Sequence, residues 1–285
     1  MLKITNNSSQ FTINCKGQLI DFSMPKIMGI LNVTPDSFFE NSRAINSEAI
    51  LEKTSKMLSE GATFIDIGGH STRPGAAAVS ENEEMDRVLP AIEVILEKFP
   101  DCFISIDTFR ASVAKKAVEL GAALVNDVSG GLMDADMYKT VAELNVPYIL
   151  MHMRGNIDTM MEHTNYNNLV LDVLNDLEQK VGDLRKYGQK DIIIDLGFGF
   201  SKTADQNYEL LHKLDGFEML ECPILVGISR KSMIWRKLGI KADAALNGTT
   251  ALNTVAILNG ANILRVHDVK EAMETIKLVG LVTQL

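Results

Sequence analysis

The 285-residue sequence is short of positive charge, with 28 Lys and Arg against 37 Asp and Glu and a formal net charge of −9. That balance argues against a nucleic-acid surface, which needs a basic patch to displace counterions. An anionic substrate would have to meet its positive charge locally. Cysteine is scarce too: Cys15, Cys102 and Cys222 are odd in number, far apart and without metal-ligand spacing. They read as reduced thiols, and neither a disulfide framework nor a zinc site is expected. No apolar run reaches the ~18 residues a membrane-spanning helix needs. The opening MLKITNNSSQ lacks the charged, apolar and small-residue succession of an export signal, so a cytoplasmic location is the expectation. No linker or low-complexity segment interrupts the chain, and residues 1–285 read as one domain.

What the sequence does contain is a repeat of short β-type apolar runs, each followed by a polar, glycine-rich patch and then by helical periodicity. Eight such runs occur: KIMGILN (26–32), TFIDIG (63–68), CFISID (102–107), ALVND (123–127), PYILMH (147–152), DIIID (191–195), ILVGIS (224–229) and NILRVH (262–267). Their hydrophobicity is continuous rather than alternating, as in parallel strands buried on both faces. Between them Val88, Ile92, Ile95, Leu96 and Phe99 recur at near-helical spacing. So do Leu169, Val173, Leu177, Val181 and Leu184, and then Val269, Ala272, Met273 and Ile276. Eight β-then-α units without a linker predict an α/β fold, a (β/α)8 TIM barrel, with an open doubly wound sheet as the alternative. Residues 1–24, with FTINCKGQLIDF around Lys16-Gly17, read as an N-terminal β-hairpin placed to close the barrel bottom.

Polar residues gather at the C-terminal ends of these runs: Asn32, Asp66, Asp107, Asn126 with Asp127, His152, Asp195, Ser229 with Arg230 and Lys231, and Arg265 with His267. In a barrel those ends share one mouth, where active sites are built. Any one of these Asp, Asn or Ser residues could instead cap a helix. Asp107, Asn126, Asp195 and Lys231 together offer acceptors, an amide and a cation, a set suited to a flat heterocycle rich in N–H and C=O groups. Carboxylate acid/base chemistry and metal binding are the competing uses. DLGFGFSK (195–202) lacks the third glycine of a dinucleotide fingerprint, so its glycines read as allowing close backbone approach while Phe198 or Phe200 covers a ring or joins the core. Arg265 and His267, two apart on a strand, would share a face and grip one anion at the start of the last helix. Asn32 is placed to meet a magnesium ion carried in by an oligophosphate. Thr34 to Asn46 reads as a polar lid. His152 stays open between a structural and a ligand-side role, and His163 and His212 read as surface residues.

Seven motifs in order, MGILNVTPDSF, IDIGG.STRPGA, SIDT, NDVSGG, GFGFSK, GISRKS and RVHDV, resemble dihydropteroate synthase over about residues 24–280. The resemblance implies a TIM-barrel transferase of folate biosynthesis. It would join 6-hydroxymethyl-7,8-dihydropterin pyrophosphate to p-aminobenzoate, releasing pyrophosphate. It implies that Asp107, Asn126, Asp195 and Lys231 hold the pterin with Met151 beside the ring, and that Asn32 meets Mg2+ and pyrophosphate. Arg265 and His267 would bind pyrophosphate, with Thr72 and Arg73 near the leaving group or the incoming benzoate. Phe38, Pro74, Phe200 and Ser232 would form the p-aminobenzoate pocket. Two flexible loops, about 33–46 (with Asp36) and 69–80, would fold over the site. A homodimer built through barrel helices and competition by sulfonamides are also implied. Two positions depart from the family pattern: His70 stands where Glu is usual and Leu196 where Pro is common. A catalytically inactive pterin-binding module and a pterin-dependent methyltransferase domain are the alternatives.

Overall fold

A computed structural model describes residues 11–33, 43–70 and 79–283. It opens on a hairpin of β1 (Thr12–Cys15) and β2 (Gln18–Asp21), paired antiparallel. Lys16 and Gly17 turn it with φ of 53° and 83°, the two positive angles that a tight two-residue hairpin demands, and the Gly17 N–H donates to Asn14 Oδ1 at 2.8 Å.

The main body follows as β3 (Lys26–Asn32), α1 (Arg43–Ser59), β4 (Phe64–Gly68), α2 (Glu81–Lys98), β5 (Phe103–Asp107), α3 (Ala111–Leu120), β6 (Leu124–Asp127), α4 (Met137–Leu144) and β7 (Tyr148–Met151). Then come α5 (Leu169–Lys186), β8 (Ile192–Asp195), α6 (Ala204–His212), β9 (Ile224–Val226), α7 (Ser232–Leu238), α8 (Leu246–Leu258), β10 (Ile263–Val266) and α9 (Val269–Thr283). The eight strands β3 to β10 are parallel, and pairing of β10 with both β9 and β3 closes them into a barrel. That closure excludes the open-sheet alternative.

The continuous apolar runs are explained by two cores. One face of each strand points outward: Ile27, Ile65, Ile67, Ile104, Ile106, Val125, Leu150 and Ile194 pack under helix residues such as Val88, Ile92, Ile95, Val113, Leu177, Val181 and Ile276. The other face points into the barrel. There Met28, Phe64, Leu124, Ile149, Ile193, Leu225 and Ile263 meet Ile13, Cys15, Ile20 and Phe22 of the hairpin, which fills the bottom as expected.

Several boundaries differ from the sequence reading. β9 ends at Val226 rather than Ser229 and β10 at Val266, so His267 lies just beyond its strand. The polar stretch read as a lid to Asn46 gives way to helix at Arg43, and residues 34–42 lie outside the described residues. The second stretch is bounded by Ser80, whose hydroxyl accepts from the Glu83 N–H while the Glu83 carboxylate accepts from the Ser80 N–H, a capping box that starts α2.

Candidate active site

The inward face changes character two residues further along β4, β6, β8 and β10. Asp66 on β4, Asp107 ending β5, Asn126 on β6 and Arg265 on β10 meet in one network. The Arg265 guanidinium donates from Nε to Asp66 Oδ2 and from Nη2 to Asp107 Oδ2, both at 2.6 Å, and Asn126 Nδ2 donates to the same Asp66 oxygen at 3.1 Å. Burial raises the Asp107 carboxyl to about 6, against the pull of the Arg265 charge and with the Asp66 charge adding to the rise. Asp107 Oδ1 and Asp66 Oδ1 are buried without a hydrogen-bond partner, so the network holds acceptors that the protein itself leaves unused.

A second group comes from the ends of β8 and β9. Asp195 accepts the Gly197 N–H at 2.7 Å, and burial raises its carboxyl although the Lys231 charge opposes this. Lys231 precedes α7, donates to the Phe198 carbonyl and lies 4.8 Å over the Phe200 ring. Burial lowers its amine to about 8, with Asp195 opposing. Lys202 is buried deeper. Its Nζ reaches His152 Nδ1 at 2.8 Å and the carbonyls of Phe200, Gly197 and His152 at 3.1, 3.2 and 3.5 Å, and burial lowers its amine to about 7. These acceptors come from both sides of the Gly-rich turn after β8, so one amine ties it to the end of β7. Gly197 is obligatory there, with φ of 69° and a Cβ position 2.0 Å from the His152 carbonyl.

The remaining candidates fall into three sets. Met151 and Phe200 share a small apolar cluster with Val128, Met153 and Met160, while Phe198 belongs to the outer core; this settles which phenylalanine faces the mouth. Ser232 is the half-buried first residue of α7, and Asn32 is exposed at the end of β3, opposite Gly68 in register. Arg265 reaches the two carboxylates, and His267 Nδ1 lies 3.0 Å from Ser229 Oγ, so each already has a protein contact at the mouth. Asp36, Phe38, Thr72, Arg73 and Pro74 lie outside the described residues.

Several strand-end residues serve the fold. Asp127 accepts from Tyr148 Oη, Ser129 N and Gly131 N, and Arg230 forms a two-pronged pair with Asp268 at 2.7 and 2.8 Å. His152 is fully buried, and burial followed by the Lys202 charge keeps its pKa well below the ordinary imidazole range; the structural role prevails. His163 and His212 are exposed, as expected. The sequence reading gave neither Asp66 nor Lys202 a role in the site, noting the lysine only as the residue in place of a third glycine. The only available signals were a carboxylate within an otherwise apolar strand and a lysine closing a double-glycine turn.

Comparison with known proteins fits this geometry. The pterin binding enzyme family matches residues 28–267. A dihydropteroate synthase of Haemophilus influenzae is 42% identical over 261 residues, covering 91% of this chain and 94% of the relative. The crystal structure of a Yersinia pestis dihydropteroate synthase with a sulfonamide drug superposes with a TM-score of 0.90 at 38% identity, covering 96% of this chain and all of that one. A Xanthomonas albilineans dihydropteroate synthase with 4-aminobenzoic acid gives a TM-score of 0.88 at 34% identity, covering 97% of this chain and all of the other. The chain belongs to the dihydropteroate synthase family of pterin-binding enzymes.

Proposed function

We propose that this member of the dihydropteroate synthase family condenses 6-hydroxymethyl-7,8-dihydropterin pyrophosphate with p-aminobenzoate, giving 7,8-dihydropteroate and pyrophosphate. The observation that carries the reading is the pair of buried carboxylates, Asp107 and Asp195, facing one mouth with Asn126 and Lys231 between apolar and aromatic walls. A pterin presents N–H donors on one edge and a carbonyl on another; carboxylates take the first and an amine or amide the second. Met151 and Phe200 supply apolar contact for its faces.

Loss of pyrophosphate from the pterin methylene needs stabilisation of separating charge more than it needs a strong base. Asp107, ionised above about 6, offsets positive charge growing on the pterin. Arg265 and His267 offset negative charge on the leaving group, and for this Arg265 must share its guanidinium between the carboxylates and the phosphate. The p-aminobenzoate amine then attacks the methylene carbon, and its proton passes to solvent or to the departing pyrophosphate. No covalent link to the protein forms.

Among the described residues no group of three or more His, Cys, Asp or Glu side chains is disposed around a metal. The one exposed amide of Asn32 suits a Mg2+ ion that takes most of its ligands from phosphate oxygens and water. Bound there, the ion would neutralise charge on the leaving pyrophosphate. Purified protein given pterin pyrophosphate, p-aminobenzoate and Mg2+ is expected to yield dihydropteroate, with inhibition by sulfonamides competitive against p-aminobenzoate. Pterin binding without product would return the chain to the inactive-module reading.

A homodimer is part of the same proposal. Leu278, Leu281 and Val282 of α9 are 66%, 80% and 76% exposed, and a groove of about 750 Å³ between α8 and α9 is lined by Leu246, Leu258, Leu278 and Val279. Exposed leucines concentrated on one helix face mark an interface, and a second copy is the occupant proposed. Sedimentation of wild type and Leu278→Glu tests it: a dimer becoming a monomer is the expected result. A cytoplasmic location is retained as an expectation; no helix among the described residues is long and apolar enough to cross a membrane.

A further inference from the structure

His70 lies just beyond β4 among charged side chains that the reaction described above does not use. Gly68 pairs in register with Asp107, and a Cβ on Gly68 would lie 3.5 Å from the Asp107 carboxylate, so the ends of β4 and β5 run in contact. Two residues further on, the rings of His70 and Phe109 meet edge to face with centroids 5.0 Å apart. His70 Nδ1 is 3.6 Å from Glu84 Oε1 of α2, and the other Glu84 oxygen takes the Arg110 guanidinium. The His70 side chain is 7% exposed and that of Glu84 fully buried.

Three carboxylates, Asp66, Asp107 and Glu84, are thus gathered at the ends of β4 and β5 with two guanidiniums, Arg110 and Arg265. Lys231, beyond β9, faces Asp195 more strongly than it faces Asp107. The first group holds more carboxylates than guanidiniums, and His70 is the titratable side chain inside it that can supply further positive charge. Glu84 and Asp107 each place one oxygen on a guanidinium and leave the other, Glu84 Oε1 and Asp107 Oδ1, buried without a hydrogen bond, as are both His70 ring nitrogens. We propose that His70 is a positioning residue for the pterin-side carboxylate: protonated beside Glu84, it supplies the third positive charge that favours the ionised form of Asp107.

The electrostatics run in the required direction. Burial alone would lower the His70 pKa, but the approach of the Glu84 carboxylate and the charges of Asp107 and Glu84 outweigh it, with Arg110 opposing, and the net effect is a rise. The His70 charge in turn lowers Asp107, whose carboxyl is otherwise raised by burial, Asp66 and Glu84. At mildly acidic pH, then, removing the imidazolium must move Asp107 upward.

The direct test needs no turnover. The Asp107 carboxyl, identified by its loss in Asp107→Asn, and the His70 ring are followed by NMR as pH is lowered from 8 to 4. Expected in the wild type is a His70 ring that gains its proton above the ordinary imidazole pKa, and in His70→Gln an Asp107 titration displaced upward by about one pH unit. His70→Lys, which keeps a cation, should return it toward the wild-type value. A His70 ring still neutral at pH 5 in the wild type, or an Asp107 titration unmoved in His70→Gln, overturns the proposal. The catalytic consequence rests on the synthase reading: the acid limb of kcat/KM for the pterin substrate should shift upward by the same amount. Wild type that makes no dihydropteroate while the NMR shift appears would defeat the synthase reading and leave the role of His70 toward Asp107 standing.

Discussion

The two ends of this barrel are built from the same strands and differ completely in what they enclose. At the bottom, Phe64, Leu124, Ile193 and Ile263 point inward and are sealed by the hairpin. Two residues further on the same strands carry Asp66, Asn126, Asp195 and Arg265. A step of two keeps the side chain on the inner face, so neither geometry nor strand propensity distinguishes the ends; only side-chain chemistry does. The bottom gains from removing apolar area from water, whereas the mouth spends stability on buried charges whose desolvation is only partly returned by pairing. One end specifies the fold, and the other is made costly for a ligand.

The largest blow to that division should come from Arg265→Ala. Arg265 is both a proposed ligand of the leaving group and the counter-ion of two buried carboxylates, so the mutant should lose turnover and also about 3–5 kcal/mol of stability near neutral pH. The loss should shrink in acid, as the unpaired carboxylates take up protons. Adding Asp66→Asn should return part of the stability in urea unfolding and none of the activity. A single mutant as stable as wild type would mean that the mouth does not depend on this pairing.

Phe64→Ala probes the other end. Its ring is fully buried against Phe103 at a centroid distance of 6.3 Å, and truncation should cost about 3–5 kcal/mol. The kcat/KM of the protein that remains folded should stay within about twofold of wild type. A large change in KM for the pterin would show that the two ends are mechanically coupled.

The contrast between the ends also decides what could be read from sequence. Strands buried on both faces appear as continuous apolar runs, so all eight were legible to within a residue or two apart from the end of ILVGIS, and so was the polar residue closing most of them. Partner choice was not legible. That Arg265 and His267 lie two apart suggested a shared anion, but nothing in the sequence showed that the Arg265 guanidinium also reaches Asp107 and Asp66, 158 and 199 residues away. Only barrel closure, which brings β10 beside β3 and one strand from β4, makes those contacts short. Lys202 was missed because a lysine in a polar loop ordinarily faces water, and nothing local announces that it turns back beneath the loop.

Lys202 offers a smaller and pH-dependent test of the cost of charge at the mouth. Its folded pKa is depressed to about 7, below the ~10.4 of an unfolded lysine, so between these values the unfolded chain binds more protons. Stability should therefore rise with pH across that window, by up to ~1.4 kcal/mol per unit from this group. Lys231, depressed to about 8, adds to the slope in the upper part of the window. Lys202→Met should flatten the slope from pH 7 upward while leaving the share due to Lys231. Equal slopes in the two proteins would mean that the Lys202 ammonium stays charged in its nest of carbonyls.

The smallest expected effect is the one that locates the edge of the site. Ser80 starts α2 on the mouth side of the barrel, and losing its half of the capping box in Ser80→Ala should cost about 1 kcal/mol. Were the mouth active by position alone, a change at this end would also alter turnover. The structure gives a narrower expectation, because Ser80 touches α2 and not the charged network. Yet its helix carries Glu84, one turn further on, whose bond to Arg110 and approach to His70 set the charge beside Asp107. A frayed first turn would loosen Glu84 first, and that would appear as a shift in the acid limb of kcat/KM with little change near pH 8. A loss of stability alone would place the functional boundary between residues 80 and 84; a shifted limb would extend the site along the first turn of α2.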